Sequence, residues 1–374
     1  MASIEKYATK TGQRYKVRYR DADDRQHQRK GFSTLKEARL YAATVETKVA
    51  SGTWVDPSAG KITVGKLYPS WRDGQTHIKA TTRATRLTAW NAHVKERWED
   101  VEVGKIRPSA VRSWIAAMAT NGAGAATVEN ALGVLRGVLA AALEDGLIPS
   151  NPAAGVRAPR RTPKVKRYLT HPQVAALAAE CGDDAIIVNT LIYTCIRAGE
   201  LAGLRVADVD FLRKRMNISR SISYVRGSGM VESATKTYES RSIPLVASLV
   251  EPLSRLAAGK SRDDLLFGGP DGEAWRVNNW RRRVFHPAVM RCRKADDTFP
   301  AITVHDCRSA GISLLIAAGA NLKLVQLAAG HASGAVTADI YGSLLPDTLD
   351  TVSEALEAQR LASCDPGVTP AVSS

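Results

Sequence analysis

The chain has 374 residues, 44% of them apolar and 24% charged, a length that suggests about two or three domains and a composition usual for a globular protein. Its 52 basic side chains against 37 acidic ones leave a formal net charge of +15; that excess favours nucleic acid over an anionic membrane, because the basic residues are not gathered on one amphipathic helix. No apolar run approaches the ~18–20 residues of a bilayer span, MASIEKYATK has no apolar core of a secretory signal, and Cys181, Cys195, Cys292, Cys307 and Cys364 are too scattered for a disulfide framework and suit a reducing cytoplasm.

In Arg14-Tyr15-Lys16-Val17-Arg18-Tyr19-Arg20 every even position is cationic and every odd one apolar. Strands send successive side chains to opposite faces, so this run predicts a strand with one apolar and one basic face. A second run, Arg25 to Phe32, follows the turn-like Asp21-Ala22-Asp23-Asp24, and Ser33 reads as the N-cap of a helix over 34–51, with Glu37 near its start and Gly52 ending it. The basic row suits DNA, since a β-ribbon can enter the major groove and meet phosphates; an ordinary solvated face is the plain alternative.

Residues 62–155 read as all helix. Leu87, Trp90, Val94 and Trp98 form one apolar stripe, Val111, Trp114, Ile115 and Met118 a second, and Val128, Leu132, Leu135, Leu139 and Leu143 a third. The tryptophans are expected in the core. The basic stretch from Lys79 to Arg86 fits either phosphate contact or a solvated helix start.

A linker follows, Arg157-Ala158-Pro159-Arg160-Arg161-Thr162-Pro163-Lys164-Val165-Lys166-Arg167, with six basic residues, two prolines and no acid. The prolines favour an extended path, and the like charges fit a run along a DNA backbone or a bare solvated linker. The third segment, 168–360, begins with Thr170 capping a helix from His171. It alternates helices with a strand-rich patch over 213–245 that includes a Gly227-Ser228-Gly229 turn. A small, polar tail from 362 to 374 is expected to be disordered.

No metal or cofactor is expected. The seven histidines include no HExxH, and Ala258-Gly259-Lys260-Ser261 ends like a phosphate-binding loop but has Ser254 where the leading glycine belongs.

Cutting DNA without metal or ATP needs a nucleophile that conserves the phosphodiester energy, cations for the charge on phosphorus, and an acid for the leaving 5′-oxygen. Arginine suits the phosphate because its planar fork offers paired donors and keeps its charge. Thr194-Cys195-Ile196-Arg197-Ala198-Gly199-Glu200-Leu201-Ala202-Gly203-Leu204 resembles the first arginine box of the tyrosine recombinase (integrase) family. Thr235-Lys236-Thr237 with Ser240-Arg241-Ser242-Ile243-Pro244-Leu245 resembles its lysine hairpin and following strand. Thr303-Val304-His305-Asp306-Cys307-Arg308 is similar to the second arginine box, Ala329-Gly330-His331 to the Gly-His pair, and Asp339-Ile340-Tyr341-Gly342 to the nucleophile segment. Any one of these is weak alone; all five in the family's order are highly specific.

The resemblance implies roles for six residues. Arg197 and Arg308 would grip the non-bridging oxygens of the scissile phosphate, and Lys236 would protonate the departing 5′-oxygen, with Lys214, Lys260 and Arg241 as the other cations that could lie nearby. His305 would assist proton transfer, His331 would hydrogen-bond the phosphate, and Tyr341 would attack and hold the DNA 3′ end. Glu200, one helical turn after Arg197, can steady that box. His305 and Arg308 are likewise one turn apart, so a helix starting there presents both on one side. Two departures stand out. Ser309 occupies the place of a histidine frequent in the family, so no role passes to it. Tyr341 lies ten residues after His331, commonly one more than in the family, with the extra residue placed in the Ala332-Ser333-Gly334-Ala335 loop before Thr337.

The implied fold is multidomain and mainly α with small β-sheets. An N-terminal α+β domain (1–57) resembles the arm-binding domain of lambda-like integrases, and an all-α domain (62–156) resembles the core-binding domain. The linker (157–167) then leads to a mixed α/β, mostly helical catalytic domain (168–360). The extra N-terminal domain favours an integrase of a phage or other mobile element over a chromosome-dimer resolvase. The expected DNA contacts are Arg14, Lys16, Arg18 and Arg20 on the basic strand and Arg160, Arg161, Lys164 and Lys166 in the linker. Implied partners are double-stranded DNA at core and arm sites, a tetramer of this chain on DNA, a DNA-bending host factor and an excisionase, in the cytoplasm and at the nucleoid of a bacterial host. Leu349, Val352, Leu356 and Leu361 fit a helix docking either on a neighbouring subunit or on its own domain. The competing readings are a DNA-binding regulator that does not cleave and a type IB topoisomerase-like enzyme.

Overall fold

The computed structural model describes residues 2–9, 12–21, 24–161, 168–225, 227–234, 240–269, 271–330, 353–354 and 356–361. It forms two compact units, Met1–Pro163 and Lys164–Ser374, and is mostly helical with small sheets.

The first unit opens with an antiparallel sheet in the order β1 (Ser3–Thr9), β2 (Gly12–Arg20), β3 (Gln26–Phe32). The alternation in β2 decides its faces. Val17 and Tyr19 are buried with Ala38, Ala42 and Val45 of helix α1 (Leu35–Ala50), whereas Arg14, Lys16, Arg18 and Arg20 share the opposite face. Strand β1 was not anticipated, because Ser-Ile-Glu-Lys-Tyr-Ala-Thr has no clean apolar alternation. The helix cap is Thr34, not Ser33. The Thr34 hydroxyl accepts from Glu37 N at 3.2 Å, while the Glu37 carboxylate accepts from both Ser33 N and Thr34 N. That reciprocal pair starts the helix one residue later than the sequence suggested.

The rest of this unit is a helical bundle: α2 (Val64–Asp73), α3 (Ala80–Ala89), a π-turn at Trp90–Val94, α4 (Lys95–Trp98), α5 (Pro108–Thr120) and α6 (Ala125–Glu144). The tryptophans are core, as expected: Trp90 stacks on Tyr68 at 3.7 Å, and Trp98 meets Trp114 edge-on. Two members of the apolar stripes are not core. Leu87 is 41% exposed and Leu143 40%. The wider π-turn shifts the phase of what precedes it, so Ala89 points inward instead of Leu87. After Leu139 the next inward position is Ala142, which turns Leu143 outward. Helix α6, with 20 residues, is long and apolar enough to cross a membrane, which no apolar run in the sequence had suggested. In this unit its Val128, Leu132, Leu135 and Leu139 face form the centre of the bundle core.

The second unit begins with α7 (His171–Glu180), capped by Thr170 and Gln173. It continues through α8 (Ala185–Tyr193), α9 (Ala198–Ala202), β4 (Val209–Asp210), β5 (Arg215–Ile218), β6 (Arg220–Val225), β7 (Gly229–Ala234), β8 (Arg241–Pro244) and α10 (Ala247–Ala257). Next come α11 (Val277–Trp280), a π-turn at Arg281–Phe285, α12 (His286–Ala295), α13 (Val304–Ala317) and α14 (Leu322–Ala329). The strands make one sheet of order β4-β5-β8 and a separate β6-β7 hairpin. Beside them α7, α8, α12 and α13 enclose a core around Leu177, Leu191, Phe285 and Ile243. Leu356 and Leu361 are exposed. The expectations for Leu349, Val352 and the 362–374 tail lie outside the described residues.

Candidate active site

Helix α8 ends at Tyr193, and the chain must turn sharply to begin α9 at Ala198. Cys195 makes that turn with φ +55°, a left-handed conformation that residues other than glycine seldom adopt. Arg197 then caps α9. Its backbone N–H donates to Glu200 Oε2 at 2.9 Å, and its Nη1 donates to Glu200 Oε1 at 2.8 Å, so the residue one turn on steadies this box as its spacing suggested.

Glu200 is 1% exposed and serves two arginines. Arg241, at the start of β8, donates from Nη1 and Nη2 to the two Glu200 oxygens at 3.1 and 2.6 Å. Burial pushes the Glu200 carboxyl up, but the hydrogen bond and charge of Arg241, with those of Arg197, reverse this and hold it below the usual carboxylate value.

Arg308 comes from α13, which approaches α8 so closely that a Cβ at Gly311 would lie 1.8 Å from the Ile192 carbonyl oxygen. Arg308 is 4% exposed, and its Nη1 donates to the Cys195 carbonyl at 2.8 Å. Burial, then the neighbouring charge of Arg197 and, more weakly, Arg241, bring its pKa down to about 10, with Glu200 opposing. It remains a cation at neutral pH.

The three guanidinium groups converge on the end of α14. Arg241 Nε donates to the Ala328 carbonyl at 3.3 Å, Arg308 Nη2 to that of Ala329, and Arg197 Nη2 to that of Gly330 at 3.1 Å. The last carbonyls of a helix lack partners within it and carry the negative end of its dipole; here three successive ones each take a different arginine. Gly330 has φ +56°, and a Cβ on it would meet Arg241 Cζ at 2.9 Å. Three cations face one carboxylate, a balance that favours an anion at this place.

Of the six residues expected at the site, Arg197 and Arg308 are brought together, and His305 is exposed on the first turn of α13. Lys236, His331 and Tyr341 lie outside the described residues, as does the loop from Ala332 to Thr337. Arg241 was missed as the partner of Glu200. A signal existed: Arg241 is in phase with Ile243 and Leu245, both buried, so strand alternation places a cation on an inward face.

The basic face of β2 is partly engaged. Glu5 on β1 binds Lys16 at 2.8 Å and Arg18 at 2.7 Å, Arg20 pairs with Asp24 at 2.7 Å, and Arg14 reaches Ser33. Arg160 and Arg161 are exposed; Lys164 and Lys166 lie outside the described residues. In the basic stretch of α3, Arg83 and Arg86 both bind Gln75. Lys260 donates to the carbonyls of Leu265 and Leu266, a structural use of that loop.

Comparison with known proteins gives a consistent picture. The model of the phage integrase family matches residues 167–346. The putative prophage phiRv2 integrase of Mycobacterium tuberculosis is 27% identical over 320 residues, covering 81% of this chain and 82% of that protein. Tyrosine recombinase XerC of Mycobacterium bovis is 32% identical over 240 residues, covering 61% of this chain and 76% of that protein. Among solved structures, the Tn1549 transposon integrase in complex with a circular intermediate DNA aligns with a TM-score of 0.68 at 20% identity, over 79% of this chain and 99% of that one. A lambda integrase tetramer bound to a Holliday junction aligns with a TM-score of 0.58 at 17% identity, over 88% and 96%. The structural matches speak to the fold.

Proposed function

Because the chain belongs to the phage integrase family of tyrosine recombinases, a family of site-specific recombinases, we propose that it cuts and rejoins duplex DNA through a 3′-phosphotyrosine at Tyr341 to integrate or excise a mobile element. The observation that carries this reading is the cluster of Arg197, Arg308 and Arg241 around Glu200 at the end of α14, immediately before His331.

In this reading the scissile phosphate binds where Arg197 and Arg308 can turn donors from carbonyls to its non-bridging oxygens. The Tyr341 oxygen attacks phosphorus as its proton passes to His305, and the P–O5′ bond breaks as Lys236 delivers a proton to the leaving 5′-oxygen. His331 hydrogen-bonds the phosphate. Charge accumulating on the equatorial oxygens is met by fixed cations, the most effective form of transition-state stabilisation. The phosphodiester energy stays in the tyrosine ester, and a 5′-hydroxyl from another strand reverses the step. No metal or nucleotide is required.

The exposed Arg160 and Arg161, with Lys164 and Lys166, would follow the DNA backbone near the crossover site. The β2 face of Arg14, Lys16, Arg18 and Arg20 would bind separate arm sites. Strand exchange would take place within a tetramer of this chain on DNA, aided by a DNA-bending host factor and an excisionase, in the cytoplasm and at the nucleoid. The test is a pool of nicked duplexes with a randomised core. The wild type should trap covalent adducts and so select its own site, whereas Tyr341→Phe should trap none. Binding without adducts would favour a non-cleaving regulator, and relaxation of supercoils with no selected site would favour a topoisomerase.

A further inference from the structure

Arg241 is largely buried at the site, yet none of the catalytic roles above uses it. Its side chain is 9% exposed, on the same face of β8 as the buried Ile243, and β8 is fixed to β5 with Arg241 opposite Ile218. Its guanidinium spends one edge on both oxygens of Glu200, and its Nε on the Ala328 carbonyl. A Cβ on Gly330 would fall 2.9 Å from the Arg241 guanidinium carbon. Arg197 differs: its side chain is 24% exposed, with Nη1 on Glu200 and Nη2 on the last carbonyl before His331.

We propose that Arg241 is a positioning residue, clamping the Glu200 carboxylate and the last turn of α14 in one arrangement. Arg197 is thereby aimed at the phosphate, and the chain leaves for His331 and Tyr341 from a fixed origin. This rests on the recombinase reading above. A planar fork matches both carboxylate oxygens and aims Nε at a third acceptor, whereas a lysine would keep the charge and lose that bidentate geometry. Without the clamp, Glu200 would be a buried carboxylate held by Arg197 alone, and Arg197 would be drawn further into its neutralisation. The effect belongs to catalysis more than to affinity, because DNA is held by many phosphate contacts and the clamp touches none of them.

The test uses the full chain and the nicked duplex selected by the wild type. With DNA saturating, Arg241→Met should form adduct about 100-fold more slowly while its DNA Kd stays within about 3-fold of wild type. Arg241→Lys should be intermediate, slower by about 10-fold. Adding Glu200→Gln to Arg241→Met should recover part of the rate, since a neutral amide no longer draws Arg197 away from the phosphate. Amide hydrogen exchange over 327–330 should quicken in Arg241→Met and be unchanged in Tyr341→Phe. If Arg241→Met fails to fold, Arg241→Lys at wild-type melting temperature decides the matter. Either variant, folded and cleaving at the wild-type rate, overturns the proposal, and so does a loss of rate matched by an equal loss of affinity. A wild type that traps no adduct instead overturns the recombinase reading on which the proposal stands.

Discussion

The Cys195 carbonyl accepts from Arg308 Nη1 at 2.8 Å, and Cys195 holds that carbonyl in place from a backbone at φ +55°. The first arginine box therefore shapes the second through its backbone, two residues before its own arginine. The Cys195 thiol is fully buried and lies 2.9 Å from where a Cβ on Gly311 would be. The turn, the missing side chain on α13 and the placement of Arg308 form one packed arrangement.

The first prediction concerns the turn itself. Cys195→Gly should leave stability within about 1 kcal/mol of wild type, because relief of the left-handed conformation offsets the lost thiol packing. Cys195→Val, β-branched and larger, should destabilise by about 2–4 kcal/mol. Urea unfolding of the two variants measures the difference.

Gly311→Ala probes the same arrangement from α13. The new Cβ would collide with backbone, the Ile192 carbonyl, so α13 has to move away from α8. A loss of about 3 kcal/mol is expected, with slower adduct formation because Arg308 moves with its helix. An unchanged melting temperature would contradict the close approach of α13 and α8.

How much of this was legible in the sequence differs by residue. Arg197 and Arg308 could be read because each sits in a local motif and the motifs occur in the family's order. The cationic face of β2 was legible from strict alternation. Cys195 carries no local mark of its left-handed backbone, which arises from how α8 and α13 meet. Arg241 was legible as a cation near Lys236 and as a phase clash with Ile243 and Leu245, but not as the partner of Glu200, which is distant in sequence. Leu87 misled because a π-turn at Trp90–Val94 changes the helical phase, and no residue type marks that turn.

Glu200 sets a pH dependence. Its folded pKa lies below the ordinary value of 4.5. Its ion pairs thus contribute stability that is full above about pH 4.5 and lost as pH falls through the folded pKa. The wild-type melting temperature should fall more steeply on acidification than that of Glu200→Gln, which has no such proton to take up. Parallel curves for the two proteins would contradict the assignment.

The N-terminal face gives a separable prediction. Charge reversal at Arg14, Lys16, Arg18 and Arg20 should weaken arm-site binding and flatten its salt dependence by about one slope unit per lost phosphate contact, leaving cleavage of a short core site intact. Glu5 occupies Lys16 and Arg18, so Glu5→Gln should tighten DNA binding and steepen the same slope. Titrations at several salt concentrations measure both.

The most direct test of the account is to digest the covalent adduct with protease and nuclease and weigh the modified peptide. A nucleotide 3′-phosphate on Tyr341, absent from Tyr341→Phe and scarcely formed by Arg197→Ala or Arg308→Ala, is the predicted result. An adduct on another residue, or one that persists in Tyr341→Phe, would contradict the mechanism.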